Sequence, residues 1–190
     1  MPKLGMEPIR RQALVQATID EVGAAGSLDV TVSQIAKRAG MSSALAHHYF
    51  GGKDQIFLAA MRHILRSYGE ECRDALRAAH TPRERVSAII HANFAPSCFD
   101  PATTSAWMSF YGQAQSSPDV AKLLSIYQRR LRSNLTHALR PLSAKPTQDA
   151  ETIAALIDGL YIRTVLSGLS PDEAVATTQH LLTQLIGTTQ

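Results

Sequence analysis

Leu14, Ala17, Thr18, Val22 and Ala25 recur at spacings of three and four, so one apolar stripe runs down a predicted amphipathic helix packed on one side. Gly26 follows where a left-handed cap closes such a helix. Thr31-Val32-Ser33-Gln34 then has the form of a capping box: the threonine hydroxyl accepts from a first-turn amide and the glutamine reaches back. Strand signals are nearly absent, because Val, Ile and Thr do not alternate over any window and no Asn-Gly or Asp-Gly turn joins two such runs. After Pro8 the next proline is Pro82, and Pro96, Pro101, Pro118, Pro141, Pro146 and Pro171 divide the rest into blocks of helical length. The pattern predicts an all-α chain of about nine helices, over 8–25, 32–39, 43–49, 53–79, 82–95, 102–116, 119–140, 148–168 and 172–187. At 1.5 Å per residue the fourth block is about 40 Å long, too long for a small N-terminal unit to bury, so it is predicted to bridge two domains, 1–52 and 53–190.

Composition narrows the class. Uninterrupted apolar runs are short, five residues in 153–157, against the roughly twenty of a spanning helix. Residues 1–11 contain no apolar export core, so a cytoplasmic location is expected. Cys72 and Cys98 stand apart without a CxxC, which points to two reduced, partly buried thiols and to neither a disulfide framework nor a zinc site. No G-x-S-x-G, HExxH, P-loop or dinucleotide fingerprint is present, so no catalytic residues, metal or cofactor are expected, and His91, His137 and His180 read as surface or packing residues. The charge is uneven: residues 1–66 hold eight Lys or Arg against five acids, whereas the remaining residues carry eleven of each sign. All of the net +3 therefore belongs to the first third, which suits a polyanion partner there.

The stretch from Val32 to Phe50 has the sizes of a helix-turn-helix. Ala36 is small where two helices cross, Gly40 supplies positive φ for the turn, and Met41 fills the gap beneath it. Ser42 or Ser43 caps the next helix. Ala46, Tyr49 and Phe50, three and four apart, anchor that helix, while Ser43, Ala44, His47 and His48 face away and let its backbone approach a major groove. His47 and His48 diverge by about 100° around the helix, so they do not share a metal, and phosphate hydrogen bonding suits them better. Lys53, after Gly51 and Gly52, opens the following helix and with its first-turn amides makes a phosphate site.

TVSQIAKRAGMSSALAHHYFGGKDQI resembles the N-terminal DNA-binding domain of TetR-family repressors over residues 9–65. The resemblance implies a three-helix DNA head, a helical ligand-binding body, and homodimers formed through the last two long helices. It also implies that Thr31 contacts phosphate and Ser33 faces the groove, that Ser43, Ala44 and Leu45 are base-facing, and that His47, Tyr49 and Lys53 contact phosphate. The chain departs from the family pattern in Ala46 and His47, where Leu and Tyr are usual, and in Ala44, where Gly is common. The opening MPKLGMEPIRRQ, the blocks HYFGGKDQIFLAAMR and AWMSFYGQAQSSP, the run RRLRSNL and the segment AALIDGLYIRTVLSG resemble a choline-responsive branch of that family. That implies choline, or a related quaternary ammonium compound, as inducer, with genes of glycine betaine synthesis and choline uptake as targets.

A quaternary ammonium has no N–H to donate and seeks π faces with a carboxylate nearby. Trp107, Phe110 and Tyr111 stand at i, i+3 and i+4, putting three aromatic side chains on one helix face. Asp158 and Tyr161 offer an anionic and aromatic wall and Tyr127 a further face, although Asp158 has Arg163 and Arg130 as alternative partners. A dimer seam is predicted on Ile153, Leu156, Ile157 and Leu160 of the eighth block and on Val175, Leu181, Leu182 and Leu185 of the ninth, with Gly159 permitting close approach. Two competing readings remain: a repressor of this family answering to another quaternary amine or an apolar ligand, and a helical protein-interaction module. A steep fall of duplex affinity with salt separates the second from any DNA-binding reading.

Overall fold

Five helices begin on a proline: α5 (Pro82–Asn93), α6 (Pro101–Gln113), α7 (Pro118–Leu139), α8 (Pro146–Ser167) and α9 (Pro171–Ile186). The ring fixes φ near the helical value, and the missing N–H costs nothing at a position where that donor has no intrahelical acceptor. They follow α1 (Met6–Ala25), α2 (Val32–Arg38), α3 (Ser43–Phe50) and α4 (Lys53–Ala78) in a computed structural model that describes residues 5–187. Among those residues the fold is all-α, as expected, with nine α-helices. Several bounds differ from the sequence expectation: α1 starts two residues early, and α5 and α6 end two and three residues early. The eighth helix starts at Pro146, two residues early, and a 3₁₀ turn, Pro96–Phe99, lies between α5 and α6.

Packing divides the chain into two units: residues up to 66 together with 100–123, and residues 67–99 together with those from 124 onward. The expected boundary at 52/53 is a single cut along the chain. Packing groups it otherwise, because α6 lies on α1. A Cβ on Gly23 would fall 2.5 Å from the Cα and Cβ of Ala102, so this crossing needs glycine. The stripe of α1 buries Leu14, Ala17, Thr18 and Val22, with Val15 and Ile19 beside them, whereas Ala25 at the helix end is exposed. Thr18 tolerates burial because its hydroxyl donates to the Leu14 carbonyl at 2.7 Å.

In the second unit α8 and α9 pack on each other, and α9 also meets α5. Ile153, Ile157, Leu160 and Leu182 are between 0% and 4% exposed, so they belong to this unit's own core and are withdrawn from the expected dimer seam. A helix with apolar residues over more than half its circumference cannot turn all of them outward; the chain's own core takes the first share. Leu156, Val175, Leu181 and Leu185 are half-buried, and Leu166 is 67% exposed.

Candidate nucleic-acid interface and effector site

The interface is built from caps. At the start of α2 the Thr31 hydroxyl accepts from the Gln34 amide at 3.2 Å, while Gln34 Oε1 accepts from the Thr31 amide at 2.7 Å. The same hydroxyl donates to Gln34 Oε1 at 2.8 Å, so the oxygen expected to meet phosphate is already used on both sides by its own cap. At the other end Gly40, with φ +67°, lets the Met41 amide reach the Ala36 carbonyl at 2.8 Å and the Gly40 amide the Lys37 carbonyl at 3.1 Å, a Schellman closure that turns the chain sharply. Of the two serines offered as cap, Ser42 takes the role, accepting from the Leu45 amide at 3.2 Å. Ala36 and Ala46 are both fully buried, the small residues that let α2 and α3 pack on each other.

Thr31, Ser33, Ser42, Ala44, His47 and His48 are exposed, while Ser43, Leu45, Tyr49 and Lys53 are half-buried. His47 Nδ1 bonds the Gly51 carbonyl at 3.1 Å and fixes the ring. The ring of His48 lies 5.4 Å from that of Tyr49. Two arginines of α1, which sequence reasoning left unassigned, close on the end of α3. Arg10 Nη1 donates to the Tyr49 hydroxyl at 3.4 Å, and the Arg11 guanidinium lies 5.4 Å from the Tyr49 ring centre and 5.1 Å from that of Phe50.

The six residues expected at the effector site fall into two groups. In the first unit Trp107 lies edge-on to Phe110 at 5.5 Å and tilted on Tyr111 at 5.7 Å, and Phe110 also meets Phe57 at 6.5 Å. Phe110 is fully buried and Trp107 is 7% exposed, so both carry core packing whatever else they do. In the second unit the Tyr127 hydroxyl stands 3.3 Å from Asn93 Oδ1 and 3.5 Å from Asp158 Oδ1, and the Tyr127 ring meets Tyr68 edge-on at 5.8 Å. Tyr161 donates to the Cys98 carbonyl at 3.0 Å and tilts on Phe99 at 5.2 Å. Among the described residues, Asp158 makes no ion pair with either of the arginines offered as partners.

Burial pushes the Asp158 carboxyl up to about 6, against the opposing pull of the Tyr127 hydroxyl, and Glu151 on the same helix adds to the rise. Burial also holds the Tyr68 hydroxyl well above its ordinary value, and Cys72 one turn away adds to that, while a bond to Asn93 opposes it. Tyr68 and Asn93 are the residues sequence reasoning missed; Asn93 was legible only as a polar residue inside an apolar helical block. The Cys98 thiol, pushed up to about 11 by burial, is protonated and inert at neutral pH, and Cys72 is likewise raised. Among the described residues no three His, Cys, Asp or Glu converge as a metal site, and no helix is long and apolar enough to cross a membrane.

Residues 14–60 match the model for bacterial regulatory proteins of the tetR family, and residues 82–187 that for the C-terminal domain of BetI-type transcriptional repressors. The chain belongs to the TetR family. The HTH-type transcriptional regulator BetI of Brucella melitensis biotype 2 is 53% identical over 178 residues, covering 93% of this chain and 90% of that protein. Among solved structures, a TetR transcription regulator from Haloarcula marismortui superposes with a TM-score of 0.86 at 18% identity, over 95% of this chain and 100% of that one. A transcriptional regulator from Saccharomonospora viridis, solved in complex with choline, gives 0.81 at 21%, over 90% and 94%. The chain is thus a DNA-binding transcriptional repressor of the TetR family and not an enzyme.

Proposed function

We propose that the chain acts as a homodimer whose operator is released when choline binds, controlling genes for glycine betaine synthesis from choline and for choline uptake. In this reading residues 1–52 dock on DNA and residues 53–190 hold the effector and the dimer seam. The observation that carries the choline assignment is the Asp158 carboxylate set beside the Tyr127 hydroxyl and close to Tyr68, three groups that a quaternary ammonium can use together without donating a hydrogen bond. The choline bound by the Saccharomonospora viridis regulator and the resemblance of the sequence to a choline-responsive branch of the family support the same ligand class.

The reading also predicts selectivity. Glycine betaine keeps the trimethylammonium group but carries its own carboxylate, which Asp158 repels, so choline binds better. For release of the operator, choline must bind the released form better than the DNA-bound one. The helix α4 carries Lys53 at its start and Tyr68 about four turns on, so a ligand that displaces Tyr68 acts on the helix that opens at the phosphate site.

Calorimetric titration with choline, glycine betaine and carnitine, followed by gel shifts on DNA upstream of its own gene, tests the proposal. Choline is expected to bind and release the DNA. Asp158→Asn is expected to keep operator binding and lose about tenfold in choline affinity. A variant that titrates like the wild type would remove Asp158 from the site, and release by an apolar compound but not by any quaternary amine would favour the other ligand class.

A further inference from the structure

The basic side chains near the helix-turn-helix are not equivalent. Arg38 is paired with Glu21, and Arg11 with Glu7 at 2.9 Å, so both are neutralised within the chain. Arg10 makes no ion pair among the described residues; its partner is the Tyr49 hydroxyl at 3.4 Å. A phenol oxygen that accepts from a guanidinium has its own O–H left to donate, and the guanidinium keeps further N–H groups unused. At 3.4 Å the contact is long for a charge-assisted bond, so little is lost when an incoming oxygen takes a hydrogen from each side. Arg11, lying over the rings of Tyr49 and Phe50, holds the Tyr49 ring in place without presenting a free charge.

We propose that Arg10 and the Tyr49 hydroxyl form one seat for a DNA phosphate, joining the second turn of α1 to the end of α3, with Arg11 as a positioning residue. The seat rests on the DNA-binding role of the chain. It adds a contact from a helix outside the helix-turn-helix, so that the C-terminal end of α3 is held on DNA from α1 as well as from Lys53. Phosphate contacts of this kind set register and orientation and carry no base information.

Fluorescence anisotropy on a duplex from the region upstream of its own gene, between 50 and 200 mM KCl, tests the seat. Arg10→Gln is expected to weaken binding about fivefold and to flatten the plot of log affinity against log salt by about 0.9 per protomer, the signature of one lost phosphate contact. Tyr49→Phe removes a donor but no charge, so it is expected to weaken binding while leaving the slope unchanged. The double variant is expected to lose less than the sum of the two, because both act on one phosphate. Arg11→Gln is expected to lower the melting temperature and leave the slope unchanged. An Arg10→Gln protein with wild-type slope, or strict additivity with Tyr49→Phe, would overturn the seat. A wild-type protein that shows no salt-dependent binding would instead overturn the DNA-binding role itself.

Discussion

Asp158 holds a charge that its surroundings disfavour. Its folded-state pKa of about 6 lies above the ordinary 3.8, so the folded protein binds this proton more readily than the unfolded chain does. The carboxylate therefore costs stability above pH 6, and the cost is relieved as pH falls through 6 towards 4. For a half-buried group the cost is on the order of 1–2 kcal/mol. Asp158→Asn is accordingly expected to raise the melting temperature at pH 7.5 by roughly 2–6 °C in scanning calorimetry, while weakening choline binding. The same titration acts on the ligand. Choline affinity is expected to fall as pH drops below 6, because a protonated carboxyl no longer attracts a cation; calorimetric titrations between pH 5 and 8 measure it. Trp107→Ala is a less informative variant, since Trp107 packs on the fully buried Phe110 and its loss opens a core cavity.

At the scale of elements, helix ends follow local chemistry while helix contacts do not. The capping boxes at Thr31, Thr81 and Ser170, the prolines that open α5 to α9 and the positive φ at Gly26 and Gly40 all act within a few residues. That is why the end of α1 and the starts of α2 and α3 could be read directly from the chain. The packing of α6 on α1 has no such signal. It depends on Gly23, which in the sequence is one more small residue near a helix end, and whose missing Cβ admits Ala102. Gly23→Ala would improve helix propensity in an isolated peptide, yet in the folded chain it is expected to destabilise by about 1–3 kcal/mol, read as a lower urea midpoint with unchanged slope, because the clash falls on backbone as well as side chain.

For the whole molecule, the proposed dimer makes a separate demand. Gly159 lies in the middle of α8, exposed, and a Cβ there would meet nothing within 4 Å of the same chain. Glycine at such a site costs helix stability of about 1 kcal/mol relative to alanine, a cost that close approach of a second chain in the proposed dimer would offset. Gly159→Leu is expected to leave the monomer folded by circular dichroism and to shift sedimentation from dimer to monomer; a dimer that survives would place the seam elsewhere. A monomer presents one short α3 to DNA, and two reading a palindrome multiply its specificity, so the same variant is expected to lose operator binding.

Periodicity, caps, prolines and the spacing around Gly40 act between neighbours along the chain, and they determined the all-α class, the helix-turn-helix and the exposure of Ala44, His47 and His48 on α3 from the sequence alone, whereas Ser43 is half-buried. Tertiary structure decided which apolar residues of α8 and α9 the chain keeps for its own core, and that Arg10 meets Tyr49, 39 residues away. It also brought Tyr68 and Asn93 to Tyr127 and Asp158. Each of these is a contact across tens of residues, set by which faces are buried together, and a single chain of letters carries no local mark of it.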